Sequence, residues 1–194
     1  VTEGIEKGEF EDGPRMEALD VLFANRDLTA YAQFVKNEKT TASWNIAFEN
    51  TERYWPIVLQ HLLWGMNAHI NLDLGIAAAR IAPGEAIHDL KGDFDKINGV
   101  LASLVGGVEE ELSKVWPTLK TILTLSGKID DFLVNFSMKV ARDEAWKFAT
   151  ELAAVTPEKQ AQMIVKKDQE VAAFGKFINP PGLIPKLVFG VIRL

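Results

Sequence analysis

The chain has 194 residues, 47% apolar and 25% charged, enough to bury one sizeable core in a single domain spanning 1–194. A net charge of −6 without a basic run excludes non-specific nucleic-acid binding, and the lack of cysteine excludes disulfides, thiolate metal sites and thiol nucleophiles. No signal peptide is visible and the longest apolar run holds too many polar groups for a transmembrane segment, so a cytoplasmic protein is expected.

Helix signals recur along the chain and strand signals are almost absent. The opening TEGIEKGEF reads as the end of a helix, and a start at Val1 rather than Met points to native residues missing upstream. Pro14 suits a first helical position, followed at helical spacing by Met16, Leu19, Leu22 and Phe23. The polar run Asn25–Arg26–Asp27 is expected to interrupt this helix, with Arg26 turned inward, before Leu28, Tyr31 and Phe34 resume it. Residues 42–54 predict a short helix bearing Trp44 and Phe48. Pro56 opens a long central helix, about 56–82, which Pro83–Gly84 closes.

The segment GEAIHDLKGD, with an exposed His88, leads into a helix over about 94–124, where Asp93 is placed as N-cap. Helices over 128–155 and from Thr156–Pro157 to about Ile178 follow, and Asn179–Pro180–Pro181–Gly182 ends the last. The apolar tail 183–194 is expected to dock on the core or to form a homodimer interface. The fold class is all-α, a bundle of six or seven helices around the buried central one.

That central helix carries the candidate chemistry. It is apolar on nearly every side yet holds Gln60, His61, Asn67, His69, Asn71 and Asp73. Such a helix is normally buried, and buried polar groups need partners. On a wheel of about 100° per residue, His61, Gly65, His69 and Asp73 form one drifting ridge, with Arg80 returning to the Asp73 side. Gln60, Asn67 and Asn71 fall on another face.

His69 and Asp73, at i and i+4, can converge on one divalent metal ion; a buried His–Asp or Asp–Arg pair is the structural alternative. His61 is a third ligand or general base. Gln60, Asn67 and Asn71 either orient a substrate or bind helices together. Arg142 can neutralise Asp73 or stabilise negative charge. The tryptophans at 44, 55, 64, 116 and 146 read as core or interface.

The segments LDVLFANRDLTAY at 19–31, IVLQHLLWGMNAHINLDL at 57–74, GDFDKINGVL at 92–101, FSMKVARDEAWKFA at 136–149 and NPPG at 179–182 carry a resemblance. The chain resembles a largely bacterial family catalogued as domain of unknown function 5995. The resemblance implies one all-helical domain and a pattern continuing upstream of Val1, and it implies no activity. His69 and Asp73 are also similar to the H-x-x-x-D element of zinc-dependent phospholipases C and related single-strand nucleases. Those use further histidines and an N-terminal Trp amine for three metals, which a chain with three His starting at Val1 cannot supply.

Two functions follow. One is a metal-assisted hydrolase, with His69 and Asp73 as metal ligands, His61, His69 and Arg142 catalytic, and Gln60, Asn67 and Asn71 substrate-binding; a metal-free His69–Asp73 base is its variant. The other is a non-catalytic helical module binding a small or lipid-like ligand or a partner protein.

Overall fold

A computed structural model describes residues 1–53, 58–97 and 138–178. Among them every regular element is helical, as the sequence pattern predicts. The elements are α1 (Thr2–Glu6), α2 (Gly13–Val35), α3 (Ala42–Glu49) with a 3₁₀ turn at Asn50–Glu52, and the central helix. The central helix is α4 (Val58–Ala68), a π-helical stretch (His69–Leu74) and α5 (Gly75–Ile81) in direct succession. A 3₁₀ segment (Gly84–Leu90) continues into α6, described over residues 91–97, and α7 (Met138–Ala153) and α8 (Pro157–Phe177) complete the set.

The central helix is the axis. Trp64, Ala68, Leu72, Ile76, Ala77 and Ala78 are at most 1% exposed, so most of its surface is covered, with Leu62 and Arg80 left exposed. Its α5 half packs against α7 and α2, its α4 half against α3 and α8, and its π-helical stretch against all of α2, α7 and α8. Small residues make the close approach between α5 and α7. A Cβ on Gly75 would stand 2.9 Å from the Ala145 carbonyl oxygen and 2.8 Å from Phe148 Cδ1, so the helices sit nearer than any larger residue allows.

Two buried or half-buried carboxylates tie distant segments together. Asp93 accepts from the backbone N–H of Glu11 (2.8 Å) and Asp12 (2.9 Å) just before α2, and from Lys96 Nζ (2.9 Å). Burial alone would raise its pKa, but these donors outweigh it and hold the carboxyl below its usual range. Asp168 on α8 accepts from the N–H of Ala42 and Ser43 and from the Ser43 hydroxyl, closing the start of α3 beside its own N-cap Thr41.

Three expectations are corrected. The helix over Asn25–Arg26–Asp27 does not break, because α2 is continuous from Gly13 to Val35. Asp93 is not an N-cap of its own helix: the chain is already helical from Lys91, which frees the carboxylate to bind the lead into α2. The short helix starting at Ala42 gives way to the 3₁₀ turn after Glu49. The proposed start of the central helix at Pro56, the helical segments 98–124 and 128–137, and the 183–194 tail lie outside the described residues. No helix among the described residues is long and apolar enough to cross a membrane.

Candidate functional site

The centre of the site is Asp73, on the π-helical stretch and 1% exposed. In a π-helix each turn takes one more residue than in an α-helix, and such stretches recur at functional sites. Arg26 Nε on α2 donates to Asp73 Oδ1 at 2.6 Å, and Trp44 Nε1 on α3 donates to Oδ2 at 2.7 Å. Both oxygens therefore accept, the pattern of an ionised carboxylate. Burial pushes the Asp73 carboxyl up from its ordinary value, while the Arg26 charge and the two donors pull it back.

His69, four residues earlier, stacks on Phe23 with ring centroids 3.7 Å apart and lies 6.2 Å from the Trp44 ring. Its Nδ1 is buried and has no hydrogen-bond partner among the described residues. Burial pushes its pKa down, against the pull of Asp73 and Asp27, so the ring is neutral at pH 7. His61 sits against the Trp64 ring at 5.6 Å.

The other polar face of the central helix meets the end of α8. Gln60 Nε2, Trp64 Nε1 and Asn67 Nδ2 donate to the carbonyls of Ile178, Gly175 and Val171, each at 2.9 Å. Asn71 Nδ2 donates to Asn67 Oδ1. Ile178 is the C-cap residue of α8 and Gly175 lies in its last turn, where carbonyls lack the full set of intrahelical partners, whereas Val171 sits one turn earlier. Gly175 permits the contact, since a Cβ there would stand 3.3 Å from Asn67 Nδ2. The two polar faces thus serve different neighbours: His69 and Asp73 meet α2 and α3, while Gln60, Asn67 and Asn71 hold α8.

Arg142 belongs to neither face. Its Nη2 donates to the Phe94 carbonyl at 2.9 Å and its guanidinium lies 4.4 Å from the Phe94 ring, fixing α7 on α6. Burial pushes its pKa down to about 10. Asp73 takes Arg26 as its cation instead.

Above the Arg26–Asp73–Trp44 triad opens a cleft of about 310 Å³. It is lined on α2 by Leu22, Asn25, Arg26, Thr29, Ala30 and Gln33, on the lead into α3 by Thr40 and Thr41, and on α5 by Arg80. Thr29, Gln33 and Thr40 had no role in the sequence reading. The stripe Arg26, Thr29, Gln33 at helical spacing beside buried Ala30 was the available signal. Among the described residues no three His, Asp or Glu side chains gather as a metal site would require.

A family model described as "Family of unknown function (DUF5995)" matches residues 1–181. The chain belongs to this family. No curated protein and no solved structure matches the DUF5995 chain. The N-A-H-I-N-x-D-L segment of this DUF5995 domain contains the π-helical stretch, Asp73 and the Asn67–Asn71 bond.

Proposed function

We propose that the protein is a helical module that binds a small molecule in the cleft between α2, the lead into α3 and α5. The observation that carries this reading is the cleft itself, floored by a buried ion pair on a π-helical stretch. At about 310 Å³ the cleft reaches the lower end of the size range of small-ligand sites, and its mostly polar lining residues suit a polar ligand. Arg26 is fixed on Asp73, and a preorganised charged group loses little freedom when a ligand arrives.

Metal-assisted hydrolysis is the weaker reading. It takes His69 and Asp73 as ligands of a divalent metal, His61, His69 and Arg142 as catalytic groups, and Gln60, Asn67 and Asn71 as substrate contacts. Both Asp73 oxygens already accept from Arg26 and Trp44, and the three amides are tied to α8 or to one another. Arg142 is spent on the Phe94 carbonyl and ring. The Nδ1 of His69, without a hydrogen-bond partner among the described residues, is what favours this reading. The tail 183–194 remains a candidate homodimer contact.

Thermal shift of the protein against a panel of charged and neutral metabolites tests the first reading, with Gln33→Trp placing an indole in the cleft. A compound that raises the melting temperature of wild type but not of Gln33→Trp is expected. A panel without a hit, or a hit that stabilises both proteins equally, would count against the cleft. Elemental analysis of protein prepared without chelators separates the second reading: near-stoichiometric metal that disappears in His69→Ala would favour the hydrolase.

A further inference from the structure

The cleft holds more positive charge than negative and more open donors than acceptors. Arg26 and Arg80 both line it, against the single carboxylate of Asp73. Each oxygen of that carboxylate already accepts one hydrogen bond, from Arg26 and from Trp44, so its charge is largely engaged. Arg26 makes its contact through Nε, so its two Nη groups have no hydrogen-bond partner among the described residues. Arg80 is exposed and forms no ion pair among the described residues. Thr40 lines the same cleft, and its hydroxyl oxygen is buried without a hydrogen-bond partner among the described residues. Buried hydroxyls are rarely left so.

This local excess of cation runs against a chain whose net charge is −6. Composition does not account for it, and a metal cation would meet two guanidinium groups. We propose that the cleft binds the oxyanion of a soluble small molecule, a phosphate or a carboxylate, between Arg26 and Arg80, with the Thr40 hydroxyl as a further donor. The proposal rests on the reading of the cleft as a ligand site and names the chemistry that the ligand carries there.

The geometry suits an oxyanion. A guanidinium presents a planar fork of donors that matches carboxylate and phosphate oxygens. Asp73 and Trp44 together fix Arg26, the aspartate by its Nε bond and the indole by holding the aspartate. The cleft, at about 310 Å³, also exceeds what an oxyanion alone fills, leaving room for the body of a metabolite along Leu22, Ala30 and Gln33.

Isothermal titration with inorganic phosphate and with succinate tests the proposal in wild type, Arg80→Ala, Arg80→Lys and Thr40→Val. Arg80 is exposed, so its replacement leaves the core intact, which circular dichroism checks. At least one probe should bind wild type at millimolar concentration or better, and the probe that binds tells phosphate from carboxylate chemistry. Arg80→Ala should weaken binding by about tenfold, Thr40→Val by less, and Arg80→Lys should recover part of the loss.

Binding of the same strength in Arg80→Ala would overturn the proposal, as would no heat from either probe in wild type. The reading of the cleft fails separately. A neutral compound that stabilises wild type but not Gln33→Trp, while both anions fail, keeps the ligand site and removes the oxyanion. Binding of nothing at all removes both.

Discussion

Asp73 holds Arg26 by Nε alone, and this choice of atom shapes the site. A fork-to-fork pair would use up the guanidinium, whereas a single Nε contact orients it and leaves its terminal nitrogens to the cleft. The side chain of Arg26 is 17% exposed and that of Asp73 1%, so losing either partner would strand a charge with little water to receive it. His69 stands beside this pair as a neutral ring. Its folded pKa is lowered, so below about pH 6.5 the unfolded chain binds a proton that the folded one resists. Stability carried by His69 is therefore present at neutral pH and is lost as the pH falls through 6.5 toward the folded value. Urea denaturation at pH 7 and pH 5 should show wild type losing more stability than His69→Phe, which keeps the stack on Phe23 without a titrating group. Equal losses in the two proteins would mean that His69 accepts its proton freely in the fold.

At the scale of the element, the central helix separates two glycines that the sequence treats alike. A mid-helix Gly costs about 1 kcal/mol relative to Ala, so both Gly65 and Gly75 look like positions to improve. A Cβ on Gly65 meets nothing within 4 Å among the described residues, whereas one on Gly75 meets the Ala145 carbonyl and the Phe148 ring below 3.0 Å. Gly65→Ala should gain up to about 1 kcal/mol, and Gly75→Ala should lose about 1–3 kcal/mol because a backbone oxygen cannot step aside. Chemical denaturation of the two variants checks the opposite signs. The contrast also marks how far the sequence could be read. The all-round apolar pattern of 56–82 located the buried axis, and the spacing of His69 and Asp73 placed them on one side of it. The wheel of about 100° per residue missed the π-helical stretch, because the pattern of apolar residues carries no mark of one extra residue per turn. The break expected at Asn25–Arg26–Asp27 failed for a related reason. Local polarity argues for a turn, but Arg26 is anchored on Asp73, and buried Leu19 and Ala30 flank the run, so tertiary contacts override it.

Across the whole molecule, the partners of the site residues come from far along the chain, and no local pattern announces them. Asp73 finds Arg26 and Trp44, and Asp93 and Asp168 reach backbone N–H groups 81 to 126 positions away. Capping statistics made Asp93 a local N-cap because a helix was expected to start beside it; the earlier helix start turned the same carboxylate to a distant task. The two remote carboxylates differ in burial, and this difference decides their weight. Asp93 is 0% exposed, and without it the N–H groups of Glu11 and Asp12 and the Lys96 ammonium lose a shared acceptor. Asp168 is half-buried, and solvent can take over part of its role at Ala42 and Ser43. Asp93→Ala should therefore cost about 2–5 kcal/mol and Asp168→Ala about 1 kcal/mol, read by urea denaturation at pH 7. The pH dependence gives a second handle. The folded pKa of Asp93 is lowered, so its stabilisation is present above the ordinary carboxyl value and is lost as the pH falls through the folded one. The stability gap between wild type and Asp93→Ala should then narrow below about pH 4. A gap that stays constant into acid would mean that Asp93 acts through its shape rather than its charge.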